Sequence, residues 1–499
     1  MHRLVIIYRF IGNFVPSLLL CTCVCSSFAQ KTSDLDSALL LKIRATASQQ
    51  LRAFSYLEEL SDIIGPRLTG SSGADKASQW ALRKMFDMGL KKVHLENWKM
   101  KRGWQRGRTR ARLIAPFNLD LNVTSYGWVG STPSGGVDAD VVLVNSDALE
   151  EEVEKNASRW AGKVLLLIPG HLQHSNGFKS FAQMGDFVFA AKRARAAAII
   201  RRDDRPGTML THTGPVGFPG VISPIPVVDI AREHEMLLER LLTAGKTVRI
   251  RIDVQNKFSP GAVTAANVIG EIPGTEDPEK VVVVGAHLDS WDLGTGAVDD
   301  GFGVAAVLGS ADVLMKSKAK PRRTIRFVLF TGEEQGLLGS RAYVRRHQAE
   351  MRNLVCAIVL DWGQGPIRKF PLAGHTELEP AFREFFGLVS GFGDLQVDNS
   401  YLTFTDAYSF TLAGVPGIAP WQDSPTYSMI GHSSADTLDK VAPDILADNA
   451  ALLALNSFWI ANREIRLGEV WSPDKTRQVL ARDKQLEILQ LLNLWPSGK

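Results

Sequence analysis

The stretch from Val281 to Gly303, VVVVGAHLDSWDLGTGAVDDGFG, constrains this chain more than any other. Val281 to Val284 is an unbroken β-branched run, the pattern of a parallel strand covered on both faces. His287 and Asp289 follow where such a strand emerges. Asp292, Asp299 and Asp300 lie in the glycine-rich loop beyond it, and a helix is expected over residues 301–316. In an open α/β sheet, ligands bind in the crevice outside the carboxyl ends of the strands. One histidine and four acids therefore enter a place where a metal site can be built.

Two more strands end the same way. TIRFVLFT, Thr324 to Thr331, stops at Gly332-Glu333-Glu334-Gln335-Gly336, and LVCAIVL, Leu354 to Leu360, stops at Asp361. A fourth contribution, Gly431-His432-Ser433-Ser434-Ala435-Asp436-Thr437, follows a loop rich in Pro, Asp and Tyr. Singly these are weak signals, because a histidine at a strand end is more often structural and a Glu-Glu pair is usually a solvated helix start. Their agreement in order and strand position points to one cluster. The expected fold class is α/β, a mostly parallel central sheet sandwiched by helices, with a smaller α/β domain inserted.

Length and patterning set the domain plan. A chain of 499 residues with 45% hydrophobic and 22% charged residues holds two or three globular domains. Residues 1–29 read as a secretory signal peptide, with Arg3 and Arg9 before an apolar stretch and Ser26-Ser27-Phe28-Ala29 at the cleavage point, so a secreted or periplasmic location is expected. An uncleaved anchor fits less well, since Arg9, Asn13 and Pro16 interrupt the apolar run. Cleavage removes Cys21, Cys23 and Cys25 and leaves Cys356 alone, which excludes an intrachain disulfide framework. It also takes the formal charge from +4 to +2, because two arginines and no acids leave, and nothing in that balance calls for nucleic acid or a membrane as partner.

Residues 30–129 are expected to begin the main domain with two amphipathic helices and a strand. Residues 130–258 alternate short strands and helices as an inserted unit, and His171, His174 and His212 within it read as surface residues. The main domain resumes over 259–465. Residues 466–499 form a helical extension opened by Ser472-Pro473-Asp474, with Ser as N-cap and Pro at the first helical position. Its apolar stripe, including Val479, Leu480, Leu486 and Leu489, docks on the chain itself or forms a homodimer contact.

HLDS, GAVDDG, FTGEEQG, VLD and HSSADT, in this order, resemble the metal-binding series of the M28 family of dinuclear zinc peptidases. Ile64-Gly65-Pro66-Arg67-Leu68-Thr69-Gly70 is similar to a segment near the start of that family's domain, and HLDSWD with GAVDDG resembles its carboxypeptidase Q subgroup. The resemblance implies the zinc exopeptidase fold, a protease-associated (PA) type of insert and two Zn2+ per chain. Asp299 would bridge the ions, His287 and Asp361 would complete one site, and Glu334 and His432 the other. Glu333 would be the general base, and Asp289 would orient His287 through its other ring nitrogen. A cis peptide between Asp299 and Asp300 is also implied. Asp406 stands where the family has an SDH segment, without its histidine. Tyr401, Tyr408, Trp421 and Tyr427 are candidates to line a substrate pocket, and Arg341 and Arg368 to meet a substrate carboxylate.

The activity expected is a zinc metallo-exopeptidase acting on short peptides or dipeptides, as an aminopeptidase, dipeptidase or carboxypeptidase. Two alternatives share the fold: a glutaminyl-cyclase-like acyltransferase, which works with one metal, and a receptor-like protein without catalysis. The full set of five donors and Glu333 count against both.

Overall fold

A computed structural model describes residues 40–46, 52–168, 177–202, 205–211 and 222–491. The expected signal peptide, Cys21, Cys23 and Cys25, and also His171, His174 and His212, lie outside the described residues. Among the described residues no helix is long and apolar enough to cross a membrane.

The main sheet has six strands: β1 (Lys91–Met100), β2 (Val263–Ile272), β3 (Asp277–His287), β4 (Arg323–Phe330), β5 (Leu354–Val359) and β6 (Gly417–Ile418), ordered β1-β2-β4-β3-β5-β6. The last four are mutually parallel, while β1 and β2 run antiparallel at one edge. Val281 to Val284 are all buried, as a strand covered on both faces requires. Strand order reverses at β3, which lies between β4 and β5, so the crevice for a ligand opens at their carboxyl ends. Register makes this edge level. His287 pairs with Phe330 of β4, and Gly285 with Val359 of β5, which brings Asp361 alongside His287.

The helix Phe302–Lys316 leaves the loop after β3 and is buried on all sides from Phe302 to Leu314, as its nearly continuous apolar sequence demands. It packs against Pro443–Asn462 and Arg52–Glu58. Gly309 lets the three helices close up: a Cβ there would come within 2.9 Å of the Ala53 Cβ and 3.1 Å of the Ala450 Cβ.

The second sheet has eight strands in the order Leu119–Leu121, Thr109–Ala115, Arg249–Val254, Val137–Asn145, Val164–Ile168, Ala198–Arg202, Val227–Ile230, Val123–Ser125. Here the chain departs from the expected boundary at Gly130. Thr109–Ala115 pairs along its length with Arg249–Val254, and Val123–Ser125 pairs with Val227–Ile230, so both belong to the inserted sheet. The neck is a two-stranded ribbon, Trp104–Gln105 against Lys257–Phe258, and the insertion therefore starts near Trp104.

The extension is two short helices, Pro473–Arg482 and Gln485–Leu491, separated at Lys484 with φ +57°. Ser472 caps the first by accepting the Lys475 N–H at 3.2 Å. Leu480 and Leu489 are fully buried with Leu337 and Tyr408, so the apolar stripe docks on the chain itself. Leu337 directly precedes the helix that follows the Glu333-Glu334 loop, which ties the extension to the site. Leu480→Ala is expected to destabilise the fold by about 2–5 kcal/mol, through lost burial and the cavity left behind. A chemical denaturation midpoint unchanged from wild type would show that the extension contributes nothing to stability.

Candidate metal centre

His287 is the last residue of β3, Glu333 and Glu334 follow β4, and Asp361 follows β5, so three adjacent parallel strands deliver them to one edge. Asp299 comes from the loop after β3, and His432 from the loop after the short helix Tyr427–Ile430. Two donor groups result: His287, Asp299 and Asp361 in one, Asp299, Glu334 and His432 in the other. In each, one donor atom per residue lies within 4.8 Å of the others. Asp299 belongs to both, with Oδ1 at 3.1 Å from His287 Nε2 and Oδ2 at 3.0 Å from His432 Nε2. His287 Nε2 lies 3.5 Å from Asp361 Oδ1, and His432 Nε2 lies 3.1 Å from Glu334 Oε2.

These spacings carry chemical information. The His287 Nδ1 is 2.9 Å from the Asp289 carbonyl oxygen, which can only accept, so Nδ1 carries a hydrogen and the neutral ring presents its Nε2 lone pair to Asp299. Two lone-pair-bearing atoms 3.1 Å apart need a proton or a cation between them. Donor separations of 3.0 to 3.5 Å bracket the tetrahedron edge of about 3.3 Å that bonds of ~2.0 Å to zinc produce. Imidazole and carboxylate are the donor types zinc takes, and Glu334 Oε1 is buried without a hydrogen-bond partner. Each group could hold a divalent cation.

Burial dominates the titration of these acids. It pushes Glu334 up to about 7 and Asp361 up to about 6, and Glu333 well above the usual carboxylate range, the last helped by the charge of Asp361. Asp299 moves the other way: burial opposes its ionisation, but His432 and His287 hold it well below the usual range. Burial also works against the charged form of His287, yet Asp361, Asp289 and Asp299 raise it well above an ordinary imidazole.

The surrounding residues differ in part from the sequence expectations. Asp289 meets His287 Nδ1 through its main-chain carbonyl, while its carboxylate Oδ1 stands 3.7 Å off and accepts the Glu333 N–H at 3.4 Å. The strand end lets the backbone reach the ring first. The Asp299–Asp300 peptide is cis. Asp300 turns from the donors and accepts the N–H groups of His287 at 3.1 Å and Gly303 at 3.0 Å. Of the four aromatic candidates only Tyr427 reaches a donor, giving its hydroxyl hydrogen to Asp299 Oδ2 at 2.9 Å. Tyr401 instead bonds Asp483, Tyr408 packs on the C-terminal helices, and Trp421 lies under Lys369. Arg368 donates to the Phe392 carbonyl. Asp406 is fully buried outside both donor groups, and burial lifts it to about 8.

Two supports escaped the sequence reading. Asp436 is buried, accepts the N–H groups of Val298 at 2.6 Å and Asp299 at 3.2 Å, and so fixes the backbone that presents Asp299. Arg67 is fully buried and donates to three carbonyls of the loop after β3: Leu288 at 2.6 Å, Thr295 at 2.8 Å and Gly296 at 2.7 Å. Both lie inside motifs noted above, HSSADT and GPRLTG, and their place in those motifs was the available signal.

The chain is similar to known proteins of one family. The model of Peptidase family M28 matches residues 267–456. Carboxypeptidase Q of Homo sapiens is 29% identical over 425 residues, covering 85% of this chain and 88% of its own length. The crystal structure of a Peptidase M28 precursor from Shewanella amazonensis is 30% identical with a TM-score of 0.78, covering 88% of this chain and 99% of that one. A zinc aminopeptidase from Bacillus subtilis has the same fold at 21% identity and a TM-score of 0.65, covering 84% and 97%.

Arg67→Met keeps the length of the side chain but strands three buried carbonyls. It is expected to destabilise the protein by about 3–5 kcal/mol, the cost of removing one side of a buried charged network. Denaturant unfolding measures this, and a loss below about 1 kcal/mol would show that the loop after β3 is held by other contacts.

Proposed function

The chain belongs to peptidase family M28, and on that premise we propose that it is a secreted or periplasmic exopeptidase that holds two zinc ions and hydrolyses short peptides or dipeptides. That it is a metallopeptidase, a peptide hydrolase, follows from the family itself. The observation that carries the finer reading is the pair of donor triads sharing Asp299, with imidazole and carboxylate lone pairs set against each other at 3.0 to 3.5 Å. His287, Asp299 and Asp361 would hold one ion, and Asp299, Glu334 and His432 the other. When bound, the ions supply Lewis acidity for the attacking water and for the scissile carbonyl.

The remaining work falls to side chains of this chain. Glu333, adjacent to Glu334 at the end of β4, takes the proton of the attacking water and returns it to the departing amine. Asp289 links the two halves, its carbonyl fixing the tautomer of His287 and its carboxylate receiving the Glu333 N–H. Tyr427 and Asp436 hold Asp299 from the side chain and from the backbone. The inserted α/β unit, taken as a PA-type module, flanks the cleft.

Metal analysis of the purified chain is expected to give two zinc ions, and chelation to abolish peptide hydrolysis reversibly. Glu333→Gln should keep both ions and lose turnover by about 10²–10⁴, whereas His432→Ala should lower metal content. A Glu333→Gln variant with a near-normal rate removes Glu333 from the mechanism. A single ion with cyclisation of amino-terminal glutamine points instead to acyl transfer. Dipeptides blocked at one end or the other assign the terminus that is recognised.

A further inference from the structure

His432 reaches the donor cluster from a loop rather than from a strand end. Its side chain is 39% exposed, and its backbone sits at φ +54°, a left-handed conformation that a residue with a Cβ keeps only when its surroundings over-determine it. Part of that determination comes from the inserted unit. Arg205 Nη1 donates to the carbonyl of Gly431 at 2.8 Å, on one side of His432. On the other side, Thr211 forms an antiparallel bridge with Ser433, and the Ser434 N–H donates to the Leu210 carbonyl at 3.1 Å. The bridging segment is itself anchored: the Thr211 N–H donates at 3.1 Å to the carboxylate of Asp229, a buried residue of the inserted strand Val227–Ile230. Residues 205–211 thus grip the backbone on both flanks of His432.

A second contact brings the same two units together at the loop after β3. Arg106, at the neck of the insertion, pairs with Asp292 at 2.8 Å. Trp128 of the insertion meets Trp291 edge-on at 6.4 Å between ring centroids, and Trp291 meets His432 in the same way at 6.4 Å. The imidazole is therefore steered from its backbone and from its ring face by contacts that lead back into the insertion.

We infer that the inserted unit is a positioning element of the metal centre, with Arg205 and Asp229 holding His432 in the geometry that binds the second cation. The inference rests on the two-cation reading above. Neither residue touches a cation or substrate. Each acts through the backbone around His432, so its removal weakens one metal-binding step and spares the site built on His287 and Asp361, because the contacts of residues 205–211 fall on residues 431–434.

The test is a zinc titration of the full, metal-stripped chain against a chromophoric chelator, comparing wild type, Arg205→Ala/Asp229→Ala and Asp229→Asn. The double variant is expected to lose about tenfold or more in one of two uptake steps, the range typical for residues that orient a ligand. The step affected should be the one that His432→Ala abolishes, with the other unchanged. Asp229→Asn, which still accepts the Thr211 N–H, should bind as wild type does. Two unchanged steps, or two steps weakened alike, overturn the inference. A wild-type chain with fewer than two steps overturns the underlying reading and the inference with it. Circular dichroism checks folding, and should the double variant unfold, Arg205→Ala alone carries the same comparison.

Discussion

Placing imidazole and carboxylate lone pairs against each other inside a protein is unfavourable unless positive charge sits between them, and this constraint organises the whole molecule. Because the Asp289 carbonyl takes the His287 Nδ1 hydrogen, the 3.1 Å approach of Nε2 to Asp299 needs either a second ring proton or a cation between them. The same opposition recurs where His432 Nε2 meets Asp299 and Glu334. Desolvation makes each charged carboxylate costly, so a fold that gathers Asp299, Glu333, Glu334 and Asp361 at one sheet edge needs protons or cations there to offset their charge.

A buried fixed charge beside the centre is Arg67, whose burial disfavours its charged form while Asp436, Asp300, Asp289 and Asp299 favour it. Its guanidinium spends its hydrogen bonds on main-chain carbonyls of the loop after β3, so it shapes that loop and also offsets the field of the acids. This explains a motif far from the donors in sequence: a turn at Gly65-Pro66 is needed to send Arg67 under the loop. The opposite face of the loop is fixed by Asp300 and Gly303. A Cβ on Gly303 would fall 2.3 Å from Asp300 Oδ1, so the close approach of that carboxylate to the helix start requires glycine.

Much of this was legible in the sequence because strand ends are legible. An uninterrupted β-branched run declares a buried parallel strand, and residues just past such runs have little choice but to project into the crevice at the sheet edge. The four strand and loop contributions could therefore be ordered before any coordinates. The inserted unit was harder to bound. Thr109–Ala115 opens on Thr109, Arg110 and Arg112 and turns apolar only from Leu113, and Val123–Ser125 is three residues long, so neither announces which sheet it joins. Pairing with Arg249–Val254, more than a hundred residues later, decides the matter, and no local pattern encodes such a pairing. Asp289 stands at the expected ring nitrogen of His287, but which of its atoms makes the contact was not legible. Sequence indicates that an acid stands two residues after a histidine, but whether its carbonyl or its carboxylate meets the ring depends on the backbone direction at the strand end.

The donors and their supports come from segments spread from Arg67 to Asp436, with Arg205 and Asp229 of the insertion between them. None of these groups is preassembled in an unfolded chain, since each is brought in by a different strand end or loop. Any cation the centre takes up therefore binds the folded chain in preference to the unfolded one, and stabilises it by an amount set by concentration over dissociation constant. The inserted unit shares in this linkage through the backbone of His432. Each unit has its own hydrophobic clusters, two in the inserted unit and two on the faces of the main sheet. The small aromatic cluster of Trp98, Trp104, Trp128 and Trp291 is the apolar seam between them, and it lies directly beside the ligand that the insertion holds.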